Sequence, residues 1–195
     1  MVIAECTSRS PGYGERGAVH FLQLLGTNRR MSRRQLIRLS LIPALCLLTV
    51  ACRNRGPQST VRMADLHTEK QLLSGFYDLE GGAWRWTGKV FEVQLAVPPD
   101  GQKNGAILTL QGTMTQEGLD KRGGQVILSS AIGAADLPPM TISKPGEFIY
   151  REPVPANALT SSTVTADFQI DKTFTTTGDA RNLGVIATVI SLHPR

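Results

Sequence analysis

Read for its alternation of apolar and polar positions, the chain changes character near residue 75. Beyond that point the period is two. Phe91, Val93, Leu95 and Val97 alternate with Glu92, Gln94 and Ala96 across Lys89–Val97. Leu108, Leu110 and Met114 alternate with Thr109, Gln111 and Thr113 across Ile107–Met114, and Val164, Ala166, Phe168 and Ile170 with Thr165, Asp167 and Gln169 across Thr163–Ile170. Successive side chains on a strand point to opposite faces, so each stretch predicts a strand with one dry and one wet face. Leu183–Leu192 is apolar on both faces and predicts a central strand. Shorter strands are expected at Trp84–Thr87, Gln125–Ser130 and Glu147–Arg151. The intervening "PPDGQKNG", "LDKRGG", "LPPM" and "KPGE" are turn-forming in composition. Many short strands with turns between them predict an all-β fold, an antiparallel β-sandwich of jelly-roll kind. Before residue 75, Leu66, Leu72 and Leu73 in "VRMADLHTEKQLLSG" predict one short N-terminal helix.

Charge divides the chain elsewhere, at Cys52. Residues 1–51 hold seven Arg and two Glu, whereas residues 52–195 hold 14 basic and 14 acidic residues. The +5 of the whole chain therefore belongs to its first quarter. The neutral remainder lacks the basic footprint that nucleic-acid binding requires. The three Cys are Cys6, Cys46 and Cys52. The part after Cys52 thus has no disulfide framework and no Cys-based metal site.

Met31 opens a basic stretch with Arg33, Arg34 and Arg38, followed by an apolar run from Leu39 to Ala51. As a helix that run would cover about 20 Å, short of the roughly 30 Å hydrocarbon core. A basic start, a short apolar run and a small residue before the break form an export signal. Its end, Thr49-Val50-Ala51-Cys52, resembles the lipobox of bacterial lipoproteins, with Thr where Leu is usual. The resemblance implies cleavage before Cys52, acylation of that residue and a membrane partner reached through the lipid anchor. By resemblance to lipoprotein sorting in enteric bacteria, Arg53 in place of Asp favours the outer membrane. "SRRQLIR", Ser32–Arg38, resembles the twin-arginine export motif, and general secretion is the alternative. The expected layout is an upstream start extension over 1–30, a signal peptide over 31–51, a lipid-anchored tether and short helix over 52–74, and the sandwich over 75–195.

Chemistry is sparse after Cys52. His67 and His193 have no metal-ligand spacing, and no nucleophile elbow or phosphate-binding glycine loop is present. No cofactor, no metal and no enzymatic activity are expected. A hydrolase would need a carboxylate pair, such as Glu80 with Asp78 or Glu92. The informative cluster is "GFYDLEGGAWRWTGK", Gly75–Lys89. On a strand, Trp84 and Trp86 share a face and Arg85 points away. The Trp pair either plugs the core or, with Tyr77, Glu80 and Arg85, forms a platform for sugar rings. One Trp is expected to be structural and the other more exposed, with Arg85 pairing to Glu80 or Asp78.

The same stretch, continued as "GFYDLEGGAWRWTGKVFEVQL", resembles the opening of β-sandwich accessory domains of bacterial glycosyltransferases and polysaccharide-biosynthesis proteins. "GDARNLGVIATVISL" resembles their closing strand, with Asp179, Arg181, Leu183, Gly184 and Val185 at the matching positions. Residues 98–161 carry no matching motif. The resemblance implies a glycan or a glycan-handling protein as partner, without group transfer. It also implies a structural part for Asp179 and Arg181 before the last strand. A purely structural or assembly lipoprotein with a protein partner is the alternative.

Overall fold

The computed structural model describes residues 56–195, so the expected export signal and the expected lipidation site Cys52 lie outside the described residues. The described residues are mostly β. After β1 (Thr60–Arg62) and a 3-10 turn (Glu69–Gln71) come β2 (Leu72–Glu80) and the long β3 (Trp84–Ala96). A short α1 (Gly101–Asn104) leads to β4 (Ala106–Met114), and α2 (Gln116–Asp120) leads to β5 (Val126–Ile132) and β6 (Ala135–Ile142). Then follow β7 (Gly146–Val154), a 3-10 turn (Ala156–Ala158), β8 (Thr163–Ile170), the β9 (Phe174–Thr176) and β10 (Asp179–Leu183) hairpin, and β11 (Ile186–Pro194). One antiparallel nine-stranded sheet runs β6-β5-β8-β3-β11-β4-β7, with β2 beside β3 and β1 beside β11; β9 and β10 form a second, two-stranded sheet.

The sheet forks at β3. At Arg85 the two neighbours across the ladder are Leu79 of β2 and Ala187 of β11; at Val93 they are Leu72 of β2 and Ala166 of β8. Strands β11 and β8 thus use the same edge of β3, one at each end. The fork lies where Gly88 meets Gly184: a Cβ on Gly184 would stand 2.6 Å from the Gly88 carbonyl oxygen and 2.6 Å from Thr87 Oγ1. Where β3 leaves β11, β1 takes the vacated edge, pairing Thr60 with Ser191 and Arg62 with Val189. The two arms curve back until β6 and β7 approach. Tyr150 of β7 spans that gap, donating to the Pro138 carbonyl of β6 at 2.9 Å and sharing a 2.8 Å hydrogen bond with Ser130 of β5. The sheet is therefore nearly closed.

The predicted alternation defines the interior. Phe91, Val93, Leu95, Leu108, Leu110, Met114, Ala166, Phe168 and Ile170 are all buried. Phe91 stacks on Phe168 with ring centroids 5.0 Å apart, and Tyr150 meets Phe168 edge-on at 6.3 Å. At about 25 cal/mol per Å² of apolar surface, these side chains are the main source of stability.

Several expectations are corrected. Residues 61–75 hold one turn of 3-10 helix and no longer helix; of the three leucines that suggested an apolar stripe, Leu66 and Leu73 are exposed and Leu72 opens β2 against the core. The folded unit also begins earlier than residue 75. Val61 and Met63 are buried in the core, and Gln71 clips the entering chain with hydrogen bonds to Gln58 and to the Gln94 carbonyl. The segments 84–87 and 89–97 form one strand. The last strand starts only at Ile186, because Gly184 and Val185 serve the fork. "LPPM" lies inside β6 and is no turn. Pro138 and Pro139 occupy an irregularity between the Ser130–Leu137 and Leu128–Met140 pairs of an outermost strand, where missing N–H donors interrupt no ladder. Strand β2 escaped the alternation test because its register shifts three times. Gly75 sits at one shift with φ +75°, and a side chain there would collide with the Val90 carbonyl.

Candidate functional site

The alternation along the first half of β3 places Trp84 and Trp86 on the outer face and Arg85 on the inner one, as expected. Both Trp are half-buried. Their rings meet edge-to-face, with centroids 6.0 Å apart and planes at 89°. Trp86 also meets Phe174 edge-on at 5.8 Å, so it is held between two aromatics. Trp84 has less around it; Gly81 sits under its indole nitrogen, where a Cβ would come within 3.2 Å. Trp86 packs against two rings and Trp84 against one, while both side chains are half-buried.

The β9–β10 hairpin lies against this outer face and supplies its polar groups. Glu80 pairs with Trp84 across the β2–β3 ladder, so it shares the Trp face. Arg181 of β10 bonds Glu80 at 2.7 Å and Asp179 at 2.7 Å, and its guanidinium carbon stands 5.2 Å above the centre of the Tyr77 ring. The Tyr77 hydroxyl donates to the Asn182 carbonyl at 3.2 Å. Hydrogen bonds from the Arg181 side chain and backbone hold the Asp179 carboxyl below its ordinary range. The two carboxylates raise the Arg181 pKa further. Tyr77, Glu80, Trp84, Trp86, Asp179 and Arg181 are thus gathered on one surface. Residues about 100 positions apart in sequence meet there through Glu80 and Arg181.

Arg85 is the correction. It does not pair with Glu80 or Asp78, because Glu80 projects from the other face. Its side chain lies inward, with Arg85 only 7% exposed. Nη1 donates to the Tyr77 carbonyl at 3.1 Å and Nη2 to Glu69 Oε1 at 2.9 Å. Nε is buried without a partner. Of the carboxylate pairs considered for hydrolysis, Glu80 with Glu92 is not assembled. Glu80 is taken by Arg181, and Glu92 lies eight residues of β3 beyond the Trp84 that Glu80 faces, about 25 Å of extended strand. Glu92 instead faces Asp167 of β8, whose carboxyl is pushed up by burial and by that neighbouring charge. Among the described residues, no group of three or more His, Cys, Asp or Glu could hold a metal ion.

The residue that sequence reasoning missed is Arg122, hidden in the apparent turn "LDKRGG". It is 4% exposed and donates to the carbonyls of Gly118, Lys172 and Gly184, with Met114 Sδ at 2.9 Å. Its guanidinium lies 4.9 Å from the centre of the Phe174 ring. Burial pushes its pKa down to about 10, opposed by the charge of Asp171. Arg122 ties α2, the turn before β9 and the fork together, and so seats the aromatic that backs Trp86. Its only signal in the sequence is a cation beside two glycines, which reads as an ordinary solvated turn.

No protein-family model matches the chain, and no curated protein is similar enough to count as a relative. Among solved structures, the chain is similar over 70% of its length to 14% of dimeric latent PorU from Porphyromonas gingivalis, at 15% identity and a TM-score of 0.33. The chain thus spans a small fraction of that protein, and a likeness this slight carries no argument about fold or function.

Proposed function

We propose that the chain is a lipid-anchored, periplasm-facing, non-catalytic β-sandwich of jelly-roll kind that recognises glycan on the outer face of β2–β3. Counting the halves of β3 as two strands, and setting aside β1, β2 and the β9–β10 hairpin, the arms read 1-8-3-6 and 2-7-4-5. That winding of two Greek keys supports the jelly-roll reading. The export signal and the lipobox at Cys52 support the anchor and the location, with the outer membrane as the destination. The observation that carries the glycan reading is the half-exposed Trp84 beside the Arg181–Glu80–Asp179 network. Sugar C–H faces pack on indole rings, while neighbouring charged groups bond the hydroxyls. Glu80 retains acceptor capacity beyond its bond to Arg181, since an ionised carboxylate has about four lone-pair sites.

The test is a glycan-array screen of the chain from residue 53 onward, beside its Trp84→Ala variant. Binding that Trp84→Ala abolishes, while the melting temperature falls by no more than about 5 °C, supports the reading; equal binding by both ends it. A scaffold that pairs with a protein is the second reading. Strand β2 favours it, because β2 is bonded to β3 alone and leaves one edge of the sheet open.

A further inference from the structure

On the opposite face of β3 from the two Trp, a cleft of about 220 Å³ opens beneath the irregular stretch of β2. Its walls are Leu72, Leu73, Ser74, Gly75 and Phe76, with Arg85 at its base and Glu69 at its mouth. The register shifts around Ser74 and the left-handed Gly75 lift β2 off the regular ladder and make the space. Buried arginines ordinarily have their donors satisfied, because an orphaned charge-bearing donor is costly. Here the satisfaction is uneven. In a guanidinium the Nε–H and one Nη2–H point to the same side and form a fork that matches the two oxygens of a carboxylate. In Arg85, Glu69 takes Nη2 through a single oxygen at 2.9 Å, and Nε has no partner. Nη1 is engaged separately by the Tyr77 carbonyl. Half of the fork is therefore occupied by a side chain that is itself 55% exposed and free to turn into water.

We propose that this cleft is a carboxylate-binding site, and that its ligand is the uronate group of an acidic sugar, which replaces Glu69 on Nη2 and fills Nε. A cleft of this volume holds one sugar-sized group, and Leu72 and Phe76 offer apolar wall to its ring. Glu69 then acts as an internal competitor, occupying the cation in the free protein and repelling any anion at the mouth. The inference shares the glycan class of the proposed function but stands on different residues, so each can fail alone.

The experiment is calorimetric titration of the full chain in detergent with three probes: a uronic-acid trisaccharide, its carboxyl-reduced counterpart, and a capped tripeptide with a free C-terminal carboxylate. The uronate should bind at least about ten-fold more tightly than the reduced sugar, and the Arg85 Nε–H resonance should shift on saturation. Glu69→Gln, an exposed substitution that leaves the fold intact, should tighten uronate binding by about ten-fold. Arg85→Lys should weaken it. Equal affinity for uronate and reduced sugar, an unmoved Nε–H resonance, or no gain in Glu69→Gln overturns the proposal. So does binding of the peptide in preference to the uronate, which would mark a protein partner. Loss of array binding in Trp84→Ala reports on the outer face, whereas the Arg85 Nε–H resonance and the Glu69→Gln titration report on this cleft.

Discussion

The two halves of β3 obey one geometry and opposite chemistry. In the second half, Phe91, Val93 and Leu95 point inward and Glu92 and Gln94 outward. In the first half the inward positions are Arg85 and Thr87, and the outward ones are Trp84 and Trp86. The parity is the same in both halves: Arg85, Thr87, Phe91, Val93 and Leu95 are buried, with only Lys89, at the join, exposed among the odd positions. What changes is the environment each face meets. Behind the second half lies the shared apolar core. Behind the first half lie the fork, the 3-10 turn and the Glu69 carboxylate, which supply polar partners for polar side chains. On the outside the β9–β10 hairpin half-covers the Trp pair, whereas Gln94 and Glu92 face an open sheet. A strand's pleat says which residues share a face; which face is dry depends on what packs against it.

That contrast can be broken at graded positions. Phe91→Ala removes a fully buried ring from the apolar half and should destabilise the protein by about 3–5 kcal/mol, read by urea unfolding with a lowered midpoint. Arg122→Ala strands the carbonyls of Gly118, Lys172 and Gly184 and should cost about 3 kcal/mol. The hairpin should also loosen, seen as faster amide exchange across 174–183. In the outer aromatic pair, Trp86→Ala should cost about 2 kcal/mol and Trp84→Ala about 1 kcal/mol, because partly buried rings lose only part of the 3–5 kcal/mol of a core aromatic. Equal losses would show that the pair is a plug with no ring to spare for a ligand.

The smallest effect should have the opposite sign. The folded-state pKa of Asp167 is raised by burial and by Glu92, so its charged form is penalised in the native state. At acid pH the group is protonated in both states and no penalty applies. As pH rises from the unfolded value near 3.9 through the folded one, the unfolded chain releases its proton first and stability falls. Asp167→Asn should therefore stabilise the protein by about 0.5 kcal/mol at pH 7 and by nothing at pH 3. A destabilisation at neutral pH would show that Asp167 makes a bond more valuable than the repulsion it suffers.

The legibility of the sequence follows the same division. The strands around residues 91, 108 and 168 were readable because apolar side chains meet apolar side chains there, and period two is the whole signal. Strand β2 was not, because Gly75 and three register shifts erase the period. Strand β6 was not, because Pro138 and Pro139 are turn formers everywhere except at an edge such as this. The pairing of Trp84 with Trp86 was a local matter and could be read. The partner of Arg85 could not: Glu69 lies 16 residues away behind a turn, and local candidates of the right charge were nearer in sequence. Arg181 was visible as a motif but its bond to Glu80, 101 positions distant, was not. Long-range polar contacts leave no periodicity to detect.

The pairing of β1 with β11 has a consequence in time. Thr60, among the first described residues, must meet Ser191, near the last, and β3 must find both β8 and β11 at separations of 67 (Ala96 to Thr163) to 102 (Arg85 to Ala187) positions. Ordering so distant is paid in loop-closure entropy before any contact rewards it, and β folds of this kind close in milliseconds to seconds. Among the described residues, local hairpins such as β2–β3 and β5–β6 can pair early, but the sheet that joins them cannot. Until Leu192 has emerged, the edge that β1 will occupy does not exist. The described unit closes only when β11 is available to both β1 and β3.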